Sequence, residues 1–279
     1  DCIVCLGGCP RDSKQSALVT VIREGRKCGL VVEPEWEVDH IEFSGGEVKI
    51  SGLQQGNFQE LTAPKVVLAA GAFGNSKILL RSGLGSKIPA LGSRFSCHPQ
   101  LMTYAYFSEV IDAHKGAFQT VKSHDPKLRE WGFKLENVFA QPIGTGMLLP
   151  GYGEQHQRRM SKFRHYASIE VALRDEATGK IAVGKNGKLS VEKRLTDVDR
   201  AKGKRGLELV RELFTAAGAQ EIIACEQGFG LHLMGGCPIG TDAKTSVVNP
   251  EFKLHDHENV WIADSSIFPG APGINPSFT

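Results

Sequence analysis

Apolar residues change their spacing along this chain, and each spacing predicts a different element. Across residues 13–28, Ala17, Leu18, Val21 and Ile22 recur at helical intervals, with Ser13 as N-cap and Gly29 as the stop. Residues 30–33 and 36–43 read as extended, and Gly45-Gly46 turns the second run into a strand over 47–51. Residues 65–70, Lys-Val-Val-Leu-Ala-Ala, form a continuous apolar run, the pattern of a strand buried on both faces. Gly71 ends it; Asn75 or Ser76 caps a helix with Ile78, Leu79 and Leu80 inward, and Gly83 closes that helix. Strand, glycine turn, helix is the order of dinucleotide-binding α/β sheets.

The middle of the chain has another rhythm. Residues 166–173 alternate, and residues 181–195 contain Asn186-Gly187, a strong hairpin signal, so this stretch predicts an antiparallel sheet. Residues 202–217 then predict a helix with Leu207, Val210, Leu213 and Phe214 on one stripe and Gly218 as terminator. Residues 260–263 read as a short buried strand ending at Asp264. That places a carboxylate at a strand's C-terminal edge, where open α/β sheets bind ligands.

Composition narrows the function classes. The 279 residues are 41% hydrophobic and 23% charged, enough for one large domain or two smaller ones. Lys plus Arg number 33 against 31 Asp plus Glu, a net charge of +2 that gives no reason to expect nucleic acid. No apolar run approaches the ~18 residues of a membrane span. The seven cysteines are an odd number, unlike a secreted disulfide framework, and the redox compartment stays open. Cys2-x-x-Cys5-x-x-x-Cys9-Pro10 overlaps the ferredoxin pattern, so three thiolates could hold an iron–sulfur cluster; structural thiols are the alternative. Zinc is disfavoured, because no fourth Cys or His lies close by.

Two residues near the C-terminus stand out. His232 sits between apolar residues just before Gly235-Gly236, glycines that let backbone approach something closely. It reads either as a satisfied core histidine or as a general base. Pro269, Gly270, Pro272, Gly273 and Pro276 set an irregular path that brings Asn275 back, as a turn residue or as a site residue.

At these residues the chain resembles the glucose–methanol–choline oxidoreductases. The run from His232 to Asp242 looks like that family's H-x-x-G-[GT]-C-x-x-G stretch. Asp264-Ser-Ser266 with Pro269, and Gly273-x-Asn275-Pro276-x-x-Thr279, resemble its flavin-site signature. The wording is nearest to the cholesterol-oxidase-like branch, which pairs His with Asn. Upstream, Cys9-Pro10-x-x-x-Lys14-x-Ser16, residues 64–80, Gly92-x-x-Phe95-x-x-His98-Pro99, and Lys115-Gly116 with Gln119 look like further family segments in the family's order.

The resemblance implies an α/β fold: an incomplete FAD-binding Rossmann-like domain plus an α+β substrate domain with an antiparallel sheet. The FAD-binding part would span residues 1–105, the substrate domain 106–225, and the return with the catalytic motif 226–279. It implies oxidation of a CH–OH group of a small-molecule alcohol or sugar, with hydride passing to flavin N5. His232 would be the base and Asn275 its partner on the alcohol oxygen. Val38, Ala70 and Gly71 would lie near the adenine end through their backbone. Asp264 would accept from the ribityl chain or cap a helix, and Ser265, Asn275 and Pro276 would complete the flavin site. His98 is expected near the substrate side, and His40, His255 and His257 on the surface or in loops. Some flavin dehydrogenases of this family carry a three-iron cluster that passes electrons to a cytochrome; the acceptor here, whether oxygen, quinone or cytochrome, is left open. The family's G-x-G-x-x-G, which holds the flavin pyrophosphate, does not occur in these residues. The expectation is therefore the catalytic portion of a larger enzyme. An iron–sulfur electron-transfer flavoprotein subunit and an inactive flavin-binding homologue are the alternatives.

Overall fold

The computed structural model describes residues 9–225 and 228–276. Its first sheet is antiparallel: β1 (Trp36–Ser44), β2 (Glu47–Gln54) and β3 (Asn57–Ala63) in that order. The Gly45-Gly46 turn joins the first two as expected, with φ of 59° and 84°. The third strand carries no hydrophobic signal, because six of its seven residues are exposed; it forms through the tight turn at Gln55 (φ 51°) and Gly56 (φ 81°).

β4 (Val66–Leu68) is followed at once by helix α2 (Gly71–Arg81), and β4 pairs in parallel with β12 (Val260–Ile262). A first core fills the space between these elements, with Ile41, Val48, Leu79, Val260 and Ile262 at its centre. The apolar run at β4 is buried on one face only. Val66 and Leu68 face the core, whereas Val67 is 59% exposed, because no described element covers the outer face of this two-stranded sheet. The cap at α2 also differs from expectation. Ala70 precedes the helix without a side-chain cap, and Asn75 is fully buried inside it, its Oδ1 accepting from the Ala70 N–H at 2.9 Å.

The N-terminal helix is shorter than its pattern predicts. A π-helical turn over Leu18–Ile22 runs into α1 (Arg23–Lys27), and Ser13 caps neither. Leu18 and Val21 stay more than 60% exposed, so among the described residues the apolar stripe packs against nothing that would extend the helix. Residues 30–33 are coil, since no described strand lies beside them to take their ladder bonds.

The second sheet organises the middle of the chain. β10 (Glu221–Ala224), β5 (Pro99–Tyr106), β7 (Tyr166–Leu173) and β6 (Phe133–Asn137) are antiparallel neighbours, and the two-residue β11 (Phe229–Gly230) also pairs with β5. Short helices α3 (Pro126–Glu130), α4 (Pro142–Leu148) and α5 (Gly153–Ser161) fill the connections. The hairpin around Asn186-Gly187 forms as β8 (Lys180–Val183) and β9 (Leu189–Glu192), but as a separate two-stranded sheet. Helix α6 (Asp197–Ala216) starts five residues earlier than the predicted start at residue 202. A capping box nucleates it: Thr196 Oγ1 accepts from Asp199 N at 3.1 Å, and Asp199 Oδ2 accepts from Thr196 N at 3.2 Å. Val210 and Phe214 pack on Leu101, Leu135, Val171 and Leu173, while Leu213 is left 45% exposed.

Alternation gives this sheet two unlike faces. Leu135, Val171 and Leu101 point to α6. The neighbouring positions, Lys134, Glu136, Glu170 and Gln100, point the other way, and all four are buried. A buried polar face needs a reason, and the reason lies in what packs against it.

Candidate active site

The backbone around His232 is stitched between two parts of the fold. Ser96 and Met234 exchange both backbone hydrogen bonds at 3.0 Å. Gly235 N donates to Ser265 O and Gly236 N to Ser93 O, at 3.0 and 2.8 Å. The glycine pair is required by this approach. Gly235 and Gly236 have φ of 83° and 95°, and a Cβ would lie 2.1 Å from Arg94 O at the first and 2.3 Å from Ser76 Oγ at the second. His232 emerges half-buried, with its ring aimed at the loop over residues 271–276.

Asn275 lies on that loop, as expected from the sequence. Its Nδ2 stands 3.5 Å from His232 Nε2, and its Oδ1 accepts from Lys134 Nζ at 2.5 Å. The lysine fixes which end of the amide faces the histidine. Lys134 Nζ also donates to Glu136 Oε1 at 2.5 Å, and Gln119 Nε2 donates to Glu136 Oε2 at 3.2 Å. Glu170 is the cross-strand partner of Glu136. Burial, then the adjacent Glu136 carboxyl, pushes Glu170 well above the usual carboxylate range, so the pair retains a proton near neutrality. The polar face of the second sheet is thus the support of the Asn275 loop.

His98 is the residue whose importance the sequence understates. It is 2% exposed and lies at the centre of the cluster. Its Nδ1 is 3.0 Å from His232 Nδ1, and the two rings meet edge-on at 87°. On its far side Gly273 N donates to His98 Nε2 at 3.1 Å. The backbone of His98 sits in the left-handed region, φ 44°, a conformation non-glycine residues rarely hold without support. Asp175 supplies it, its two carboxylate oxygens accepting from Cys97 N and His98 N, while Lys193 Nζ neutralises it at 2.7 Å. Burial, then His232, Lys134 and Arg174, hold His98 down at about 4, so it is neutral near pH 7. His232 is also lowered, by burial first and then by Lys134, with Glu136 opposing.

Asp264 is at the C-terminal end of β12, where the strand pattern places it. Its Oδ2 accepts from Gly71 N at 2.7 Å and from Asn75 Nδ2 at 2.8 Å, and its Oδ1 accepts from Ser266 N at 2.8 Å. It therefore caps the 3₁₀ turn Ser265–Ile267 and ties β12 to the start of α2. Ser265 Oγ donates to Leu233 O at 2.9 Å, linking this turn to the His232 segment. Beside them opens a cleft lined by Asp264, Ser265 and Pro276 together with Phe252, Ile267 and Phe268.

The structure thus brings together His232, Asn275, Asp264, Ser265 and Pro276. Ala70 and Gly71 are joined to them through Asn75 and Asp264, but their N–H groups are already engaged there. Val38 lies in β1, packed against the first core. Cys2 and Cys5 fall outside the described residues. Cys9 is a free thiol, and the three-cysteine cluster expected from the sequence thus lies largely outside the described residues, among which no group of three His, Cys, Asp or Glu side chains is placed to hold a metal. Lys134, Glu136, Glu170 and Asp175 were not foreseen. For the first two a signal existed: charges alternating with apolar residues in Phe-Lys-Leu-Glu-Asn.

Both ends of the chain are similar to known proteins. Residues 1–100 match the N-terminal model of the GMC oxidoreductases and residues 176–279 the C-terminal model. A GMC-type oxidoreductase of Mycobacterium tuberculosis is 27% identical over 307 residues, covering 100% of this chain and 48% of its own length. A long-chain-alcohol oxidase of Arabidopsis thaliana is 26% identical over 333 residues, covering 100% and 45%. Among solved structures, pyridoxine 4-oxidase from Mesorbium loti superposes with a TM-score of 0.64 at 15% identity, over 85% of this chain and 53% of its own. A formate oxidase of Aspergillus oryzae gives 0.65 at 14%, over 89% and 58%. The chain spans about half the length of these relatives. With both family models matched in order and the same mixed α/β fold, the chain belongs to the glucose–methanol–choline (GMC) oxidoreductase family.

Proposed function

We propose that this chain carries the substrate-binding and proton-handling site of an FAD-dependent oxidoreductase acting on CH–OH donors, small alcohols or sugars. The observation that carries the reading is the convergence of His232 Nε2 and Asn275 Nδ2 beside the cleft at Asp264. Two nitrogens on separate segments would flank one substrate oxygen and hold it in a fixed orientation.

The residues present suit a flavin. A carboxylate offers about four acceptor positions, and Asp264 uses three internally, leaving one for a hydroxyl of a bound cofactor. The apolar walls of Phe252, Ile267 and Phe268 would face a flat ring, with Ser265 and Pro276 at its edge. When bound, the flavin supplies the acceptor for the hydride, at N5. His232 takes the hydroxyl proton from the alcohol, and its lowered basicity keeps it neutral near pH 7. Asn275, oriented by Lys134, donates to the same oxygen. The buried polar face behind the loop favours a substrate with polar substituents near the reacting carbon.

The test is anaerobic mixing of the FAD-loaded protein with primary alcohols and sugars. Bleaching of the flavin band is expected, slowed ~10²–10⁴-fold in His232→Gln. A flavin that no alcohol or sugar bleaches, or a His232→Gln protein of unchanged rate, would refute the proposal.

A further inference from the structure

Three ring contacts in a row decide where protons sit. Gly273 N–H can only donate, so His98 Nε2 must be its bare acceptor at 3.1 Å. A neutral imidazole carries one proton, so that of His98 is on Nδ1, and His98 is neutral. Nδ1 of His98 then donates across 3.0 Å to Nδ1 of His232, which must be bare. The ring proton of neutral His232 is left on Nε2, so its 3.5 Å approach to Asn275 Nδ2, a donor whose amide oxygen is held by Lys134, is a meeting of two donors and not a hydrogen bond.

We infer that His98 is a positioning residue that fixes the tautomer of His232, so that the resting site presents two N–H donors, His232 Nε2 and Asn275 Nδ2, to a negatively charged or carbonyl oxygen. The orientation of the second donor has its own cause, since Lys134 holds the Asn275 amide by its oxygen. The strained backbone of His98, pinned by Asp175, fits a residue kept for its position. Lys134 and Arg174 are the cations facing the pair, Glu136 the anion facing His232, and the Asp175 carboxylate is spent on Cys97 N, His98 N and Lys193.

The consequence for chemistry rests on the function proposed above. For His232 to accept a proton at Nε2, both histidines must exchange tautomers, which turns His98 Nε2–H against Gly273 N–H. That form is disfavoured roughly 5- to 150-fold, the cost of one buried donor left unpaired. A carboxylate or the carbonyl product, both acceptors, meets the resting tautomer directly. The site is therefore set to hold the oxygen in its deprotonated form, and small carboxylates are its natural competitive ligands.

The experiment is long-range ¹H–¹⁵N correlation on the full chain labelled with ¹⁵N-histidine at pH 7.5, with His98→Phe and His232→Gln assigning the two rings. Wild type is expected to show His98 protonated at Nδ1 and His232 at Nε2. Titrated acetate should shift the His232 Nε2 signal and bind about twofold more weakly to His98→Phe, whose His232 becomes a roughly even tautomer mixture. A wild-type His232 protonated at Nδ1 would overturn the inference. So would an acetate affinity and a His232 tautomer both unchanged in His98→Phe. Should that variant not fold, the wild-type spectrum decides alone. Turnover is not measured here, so a correct tautomer in a protein whose flavin no alcohol bleaches would sink the proposed function and leave the inference standing.

Discussion

Lys134→Met separates the structural role of the buried lysine from its role at the site. Lys134 and Glu136 are 11% and 7% exposed and 2.5 Å apart, with Glu170 beside them on the next strand. Removing the cation leaves a buried carboxylate facing a second carboxyl, and breaking one side of such a pair costs about 3–5 kcal/mol. Removing the charge on both sides is much milder, because no ion is then left without its partner. Lys134→Met/Glu136→Gln should therefore recover most of the loss, to within about 1 kcal/mol of wild type, which makes it about 2–4 kcal/mol more stable than Lys134→Met. Urea unfolding of the four proteins of the cycle measures it. Activity should not recover in parallel. Both proteins lacking Lys134 lose the donor that orients Asn275, and kcat/KM for the alcohol should fall about 10²-fold in each. A double mutant as unstable as Lys134→Met, with coupling below about 0.5 kcal/mol, would show that the pair is not desolvated and would remove the physical basis of the argument.

Three other outcomes are expected. Thr196→Ala should destabilise the protein by about 1 kcal/mol in urea unfolding, through loss of the α6 cap, with catalysis unchanged. Gly235→Ala should cost several times more and lower the yield of folded protein, because its Cβ would meet backbone at Arg94 O; near-wild-type unfolding would mean the two segments do not approach so closely. His98 has its folded pKa at about 4 against 6.5 for the free residue, so the folded state takes up its proton later than the unfolded one. The stability it contributes is present above pH 6.5 and lost as pH falls from 6.5 to about 4, by about 3 kcal/mol. Glu170 works the other way, losing stability as pH climbs above the ordinary carboxylate range. The His98 slope is thus best read as the difference between Glu170→Gln and Glu170→Gln/His98→Phe in urea melts from pH 4 to 7.

How much of this was legible beforehand differs by element. The α2 and α6 helices and the Gly45-Gly46 and Asn186-Gly187 hairpins follow from local rules, and they form. The α6 start is carried by Thr196-x-x-Asp199, a polar cap that lies outside the apolar stripe. The failures are tertiary. The residue 13–28 pattern is a sound amphipathic helix, yet it has no described surface to pack on. β3 is stabilised by its ladder to β2, which no single-strand pattern announces. His232, Asn275 and Asp264 were visible as a motif, and their places at a glycine crossing, a proline-rich loop and a strand end follow from the residues around them. Lys134, Glu170 and Asp175 were invisible because their function is to hold other residues. Partners 141 positions apart, such as Lys134 and Asn275, leave no mark on local spacing.

These holding residues explain why a loop can carry a catalytic group. The 271–276 loop has no regular ladder, and it is tethered at three points to groups around the second sheet: Arg174 Nε to Ala271 O at 3.1 Å, Gly273 N to His98 Nε2 at 3.1 Å, and Lys134 Nζ to Asn275 Oδ1 at 2.5 Å. Two of the tethers use buried side chains, His98 and Lys134, for which water competes poorly. His232 is anchored through Ser96 and Ser265. The distance between His232 and Asn275 is thus set by the glycine crossing on one side and the polar face of a sheet on the other, with His98 bridging the two. That division accounts for a sheet with one apolar and one charged face. The first packs α6, and from the second Lys134, held by Glu136, positions the Asn275 amide.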